Sequence, residues 1–182
     1  MTNQDDFRSA LGKYVTGITI VTCNSKNGPI GITANSFSSL SLSPPLVLWS
    51  PAKASKRHDT FLRAEKFIIH IANEEQIELC KSFSKSADGG DGVNWEFNNE
   101  GEAFIKNCSA RFECIKYNHF DGGDHSIIVG EVKKFETTNH KPLVYWGGSL
   151  HKTLIYCLIL KYEDNKNLNR IYFFCFYISK LL

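Results

Sequence analysis

Short apolar runs separated by polar turns set the rhythm of this chain. Phe7, Leu11 and Tyr14 fall at i, i+4 and i+7, which predicts a short helix over Asp5–Tyr14. Gly17 breaks it. Ile18–Cys23 is rich in β-branched residues and predicts a strand. Asn24–Pro29 carries Asn-Gly and Gly-Pro pairs, the mark of a hairpin turn into a second strand at Ile30–Thr33. Leu46–Trp49 predicts a third strand, His58–Ala64 a short helix, and Phe67–Ala72 a largely buried strand with His70 as a satisfied core residue. Asn73 reads as the N-cap of a helix over Glu74–Ser84, with Gln76 reaching back and Ile77, Cys80 and Phe83 on one face. Lys85–Asn99 is Gly-, Asp- and Asn-rich and predicts a long loop, in which Trp95 and Phe97 either anchor the loop or cover an apolar ligand. Ala110–Ile115 and Ser126–Glu136 alternate apolar and polar residues as long strands do, with Asp121–Asp124 a hairpin turn or open loop between them. Leu143–Trp146 closes the series. Seven or more strands and few helices predict a mainly β barrel or sandwich.

Composition narrows the function. At 42% hydrophobic and 22% charged, the chain can bury an ordinary globular core. A net charge of +2, with no long run of like charge, argues against nucleic acid as a partner. The acidic, polar start has no signal-peptide pattern, and no apolar run reaches bilayer length, so the expectation is a cytoplasmic protein without a membrane span. Six cysteines form no CxxC pair and match no zinc spacing; Cys23 and Cys114 sit in apolar strand patterns as packing residues, and no metal is expected.

The candidate chemistry lies in Gly31–Trp49. An apolar strand ends in a polar run of Thr33, Asn35, Ser36, Ser38 and Ser39, and Pro44-Pro45 then reset the chain. Small hydroxyl and amide groups with free backbone N–H groups suit a ring edge bearing both donors and acceptors, as an isoalloxazine does. Lys53-Ala-Ser-Lys-Arg57 adds hydroxyl and cationic groups suited to a phosphate. The chain has no GxGxxG loop, and no Ser-His-Asp signature stands out.

Four motifs, in order, resemble the flavin reductase family: Arg8-Ser-Ala-Leu-Gly-Lys-Tyr-Val-Thr-Gly-Ile-Thr-Ile-Val-Thr22, Thr33-Ala-Asn-Ser-Phe-Ser-Ser-Leu-Ser-Leu-Ser-Pro-Pro45, Gly122-Gly-Asp-His-Ser-Ile-Ile-Val-Gly-Glu131 and Pro142-Leu-Val-Tyr-Trp-Gly-Gly148. The resemblance covers roughly residues 5–153. It implies an FMN-binding split β-barrel of Greek-key type with a few short helices. It also implies a homodimer and an NAD(P)H:flavin oxidoreductase activity that uses NADH or NADPH. FMN is the expected flavin and FAD the second candidate; many members supply reduced flavin to a separate monooxygenase. A flavin-binding carrier or sensor without turnover is the alternative.

By the same resemblance, Thr33, Ala34, Asn35 and Ser36 run along the flavin, while Phe37 packs in the barrel. Ser50, Ala52, Lys53, Ser55, Lys56 and Arg57 wrap the phosphate, with Ser55 and Arg57 foremost and the choice between Lys53 and Lys56 open. His125 lies beside the flavin near the nicotinamide, orienting one or bonding the other, with Asp124 fixing the turn or holding the imidazole tautomer. His58 either continues the phosphate segment or is a surface or capping residue. Phe83 borders the pocket, and Trp146 supplies a lining aromatic. Ser149-Leu150-His151 stands where the family usually has a tyrosine nearby. The domain is expected to span residues 1–153. Residues 154–182 form an atypical tail, read as an added strand, a disordered or aggregation-prone end, or sequence past a disrupted gene end.

Overall fold

The computed structural model describes residues 3–90 and 93–153. The described residues up to Lys152 form one compact unit. The expectations for residues 154–182 lie outside the described residues.

The first helix, α1, spans Gln4–Leu11 and is capped by the Asn3 side chain, which accepts from the Asp5 amide at 3.1 Å. It is shorter than the Asp5–Tyr14 expected. Its apolar face is not buried either: Phe7, Leu11 and Tyr14 are all exposed. A seven-stranded antiparallel sheet follows, built from β2 (Thr19–Ser25), β3 (Gly28–Ala34), β4 (Ser38–Leu42), β5 (Pro45–Trp49), β6 (Lys66–Ile71), β9 (Ala110–Gly122) and β10 (His125–Thr137), in the order β3-β2-β6-β9-β10-β5-β4. β1 (Thr16–Gly17), β11 (Val144–Trp146) and β12 (Ser149–His151) form a small second sheet, and β7 (Trp95–Phe97) pairs with β8 (Ala103–Ile105). Helix α2 is His58–Arg63, and α3 is Ile77–Lys85.

The sheet has to roll up. β3 and β4 are its two edges, yet only residues 35–37 join them. A flat seven-stranded sheet holds its edges about 29 Å apart. The step from Ala34 to Ser38 reaches at most ~14 Å. The interior shows the closure: Val21 and Cys23 of β2, Val47 and Trp49 of β5, Phe67 and Ile69 of β6, Cys114 of β9 and Ile128 of β10 form one buried cluster, with Ile30 and Ile32 of β3 against it. The period of two sends the alternate residues Ile18 and Ile20 to the other face, where Cys80 and Phe83 of α3 cover them together with Ile105 and Leu143. His70 sits on that face: its Nδ1 donates to the Ile20 carbonyl at 2.9 Å and its Nε2 accepts from the Ile105 amide at 3.1 Å.

The reciprocal cap expected at Asn73 forms one turn early. Asn73 Oδ1 accepts from the Glu75 amide at 2.7 Å and Gln76 Oε1 accepts from the Asn73 amide at 3.0 Å, but the helix begins only at Ile77. The apolar pattern predicts none of β4, β7, β8 and β12. In the long loop Trp95 is the anchor, packing edge-on against Phe83 at 5.7 Å, while Phe97 is exposed.

Candidate functional site

Three segments meet at one end of the barrel: the edge-to-edge connection at residues 34–37, the loop from β5 into α2 at residues 50–57, and the β9–β10 hairpin turn at residues 121–126. Ser36 joins the first two. Its hydroxyl donates to the Ser50 carbonyl at 3.1 Å and accepts from the Ser50 amide at 2.9 Å. The second and third are joined by continuation of the β5–β10 register: Trp49 pairs with Ile128, and past Ser50 the pairing resumes as an isolated bridge between Ala52 and His125. The flanking bonds are Ser126 N–H to the Pro51 carbonyl at 3.1 Å and Lys53 N–H to the Asp124 carbonyl at 2.8 Å. Ala52 and His125 are therefore a non-hydrogen-bonded pair, the kind in which side chains approach most closely on one face.

The hairpin turn fixes His125. Gly123 has φ +79° and Asp124 does not share the positive φ, the pattern of a type II′ turn. The turn sets Asp124 Oδ1 at 2.7 Å from His125 Nδ1. The carboxylate only accepts, so Nδ1 carries the proton and, in the neutral ring, Nε2 is left as an acceptor on a half-exposed imidazole. The hydrogen bond from His125 holds Asp124 below the usual carboxylate range. Asp121 is lowered in the same way by Lys53, whose Nζ lies 2.8 Å from Asp121 Oδ1.

The two lysines of the loop differ. Lys53 is paired across to the hairpin, whereas Lys56 is exposed and has no ion pair among the described residues. Ser55 accepts from the Arg57 amide at 3.3 Å, and its carbonyl accepts from the His58 amide at 3.0 Å, so residues 55–58 form a tight turn into α2. Asn35 is exposed, with its amide unbonded among the described residues. Thr33 and Ala34 are tied down: the Thr33 hydroxyl donates to the Cys80 carbonyl at 2.6 Å, and the Ala34 carbonyl accepts from Thr19 Oγ1 at 2.7 Å. Phe37 stacks on Phe112 at 5.8 Å as a packing residue.

Three expected site residues take other places. Arg57 does not point its guanidinium at an open anion site. Nη1 donates to the carbonyls of Gly31 at 3.0 Å, Phe83 at 2.7 Å and Ser86 at 3.0 Å, so this side chain stitches β3 to the end of α3. Burial lowers its pKa from the ordinary value, and the carbonyls offset part of that desolvation. The Phe83 ring is fully buried and closely approached by Gly31 and Gly89. Trp146 belongs to the small sheet and lines a separate cleft with Arg8, Lys13 and Gly147. His58 is neither at the surface nor the cap of α2. It is buried, with Nδ1 at 2.9 Å from Asp59 Oδ1 and Nε2 at 2.9 Å from the buried Ser126 hydroxyl. The only signal for it is its position at the end of the loop.

Four cysteines, Cys23, Cys80, Cys108 and Cys114, are free and buried, and burial pushes the Cys23, Cys80 and Cys114 thiols up to about 12, which makes them packing residues. Among the described residues no acidic, histidine and cysteine group is arranged to hold a metal, and no helix is long and apolar enough to cross a membrane.

Comparison with known proteins agrees with this geometry. The family profile described as "Flavin reductase like domain" matches residues 11–154. The chain is 47% identical over 147 residues to FMN reductase (NADH) SmoA of Agrobacterium fabrum, covering 81% of this chain and 84% of that protein. It is 37% identical over 146 residues to the reductase component of the flavin-dependent trigonelline monooxygenase of Acinetobacter baylyi, covering 79% of this chain but only 47% of that longer protein. Among solved structures, the NADH:FAD oxidoreductase SgcE6 of Streptomyces globisporus, in complex with NAD and FAD fragments, superposes with a TM-score of 0.79 at 31% identity, covering 84% of this chain and 94% of that one. A rolled antiparallel barrel whose closing connection, β5–α2 loop and Gly-Asp-His hairpin meet at one end is thus the split barrel of these relatives, and the chain belongs to the flavin reductase-like domain family.

Proposed function

We propose that this chain is an NAD(P)H:flavin oxidoreductase, with FMN as its first flavin and FAD as the second candidate, serving as the reductase component of a two-component monooxygenase. One observation carries the reading: the three polar segments of the resemblance, far apart in sequence, are bonded to one another at one barrel end. The donor set fits a flavin. Asn35 offers an unpaired amide for the ring edge, Ser55 and Lys56 offer a hydroxyl and an unpaired cation for the phosphate, and His125 presents Nε2 on the same face as Ala52.

The hydride chemistry belongs to the bound flavin and nicotinamide. The chain's share is to place groups. Ser36, in the connection between the two edge strands, is bonded to Ser50 at the end of β5, so the segment at 34–37 is held in place. Arg57 fixes the turn at residues 55–58 to β3 and α3 rather than touching the phosphate itself. Asp124 holds His125 in one tautomer, which leaves Nε2 as an acceptor able to orient a ligand amide or ring edge. No nucleophile or acid–base dyad is required.

We further infer a homodimer, supported by the bare apolar face of α1, and a cytoplasmic setting, supported by the free buried thiols. The test of the central reading is loss of NADH absorbance by purified protein with and without FMN. Flavin-dependent oxidation is expected. A protein that oxidises neither NADH nor NADPH with FMN or FAD present overturns it.

A further inference from the structure

We propose that His58 is a positioning residue that sets the spacing between the turn offered to the flavin phosphate and the strand bearing His125. The inference rests on the flavin reductase reading of the site. His58 belongs to both parts. Its backbone amide donates to the Ser55 carbonyl at 3.0 Å and so closes the turn that holds Ser55 and Lys56. Its ring crosses to the other part and meets Ser126, the residue after His125, with Nε2 at 2.9 Å from Oγ.

The contact has a defined direction. Asp59, kept ionised by the hydrogen bond from His58, accepts from Nδ1–H at 2.9 Å. With the ring neutral, Nε2 is the acceptor and the Ser126 hydroxyl donates to it. Both His58 and Ser126 are buried, so this bond is shielded from water in a way the exposed Lys53–Asp121 pair is not. Ser126 is in turn held by its backbone bond to Pro51. A carboxylate, an imidazole and a serine in line have the order of a hydrolytic triad. The buried hydroxyl, on a residue only 5% exposed, has no face open to a substrate, so the line holds a position and does not attack.

Two substitutions of His58 separate this role from simple packing. His58→Gln places a side-chain amide near the position of Nε2 and keeps a partner for Ser126. His58→Asn reaches only the position of Nδ1 and loses it. Steady-state KM for flavin and for NADH, kcat, and the thermal midpoint are measured for both, for Ser126→Ala and for the His58→Asn/Ser126→Ala double variant. The expected result is a flavin KM raised about tenfold in His58→Asn and in Ser126→Ala, with no further rise in the double variant and recovery to within about threefold in His58→Gln. Folded variants with lowered thermal midpoints but a flavin KM within about twofold of the parent overturn the proposal, since a packing role alone moves only the midpoint. A parent chain that reduces flavin normally while all variants match it overturns this proposal and leaves the flavin reading intact. A parent chain that neither binds nor reduces flavin overturns both.

Discussion

Lys53 and Lys56 stand three residues apart in one loop, and their surroundings give them different work. Lys53 is spent on Asp121, a pair exposed enough to contribute little to stability but sufficient to hold the loop against the hairpin. Lys56 has no such partner among the described residues, so in the proposed site it is the cation assigned to the phosphate. Lys56→Ala is expected to weaken FMN binding by about 1 kcal/mol, roughly fivefold, while leaving riboflavin, which lacks the phosphate, unchanged. Lys53→Ala should change the two ligands alike. Equilibrium titration with both flavins checks this, and an equal loss for both in Lys56→Ala removes the phosphate assignment. A second single-residue constraint lies at Gly31. A β-carbon there would sit 2.6 Å from Phe83 Cε1, on a ring that Gly89 also approaches closely and that is fully buried. Gly31 also accepts from Arg57, so any shift is passed to the turn at residues 55–58. Gly31→Ala is expected to cost about 1–3 kcal/mol in urea denaturation and to weaken FMN binding with it. The motif residues are legible in the sequence because small polar side chains at strand ends announce themselves. Arg57 and His58 are not, because the target of a long side chain, three carbonyls for one and a distant serine for the other, leaves no local pattern.

Between elements, His70 is the joint of β2, β6 and β8, since its two ring nitrogens bond Ile20 of the first and Ile105 of the last. Burial lowers its pKa from the ordinary 6.5 to about 4. The folded state therefore resists a proton that the unfolded chain accepts. The stability from the neutral ring is complete above pH 6.5, is lost as the pH falls towards about 4, and does not change further below that. The window is worth about 3 kcal/mol at most. Denaturant melts at stepped pH should show this loss, and His70→Gln should be less stable at neutral pH but flatter across the window. An unchanged slope in that variant rules His70 out as the source. Strands such as β2 and β6 are readable because apolar runs and alternation mark a buried sheet. β4, β7, β8 and β12 escape because each is short and exists only where a partner strand supplies the pairing; Leu40 and Leu42 of β4 are even exposed. Residues 86–90 are irregular, as the Gly and Asp content predicts, yet β7 further along depends on β8, which is equally brief. The α1 face fails for the opposite reason: its spacing is helical, but nothing among the described residues buries it.

On the scale of the molecule, the site and the closure of the barrel are one feature. Residues 35–37 join the two edges of the sheet, Ser36 ties that connection to Ser50 at the end of β5, and the loop that follows is bonded to the β9–β10 hairpin. A ligand touching Asn35, the turn at residues 55–58 and His125 together bridges the segments whose separation begins unrolling of the barrel. FMN should therefore stabilise the global fold and not merely quiet a loop. At a hundredfold excess over its dissociation constant the linkage amounts to about 2.7 kcal/mol. In a domain of this size that is a rise of roughly 5–10 °C in the thermal midpoint. Riboflavin at equal concentration should give a smaller rise by the share that Lys56 contributes, and in Lys56→Ala the two flavins should converge. If FMN binds with measurable affinity but leaves the midpoint of a reversible, single-step transition where it was, the site lies outside the cooperative unit, and the coincidence of site and closure is wrong.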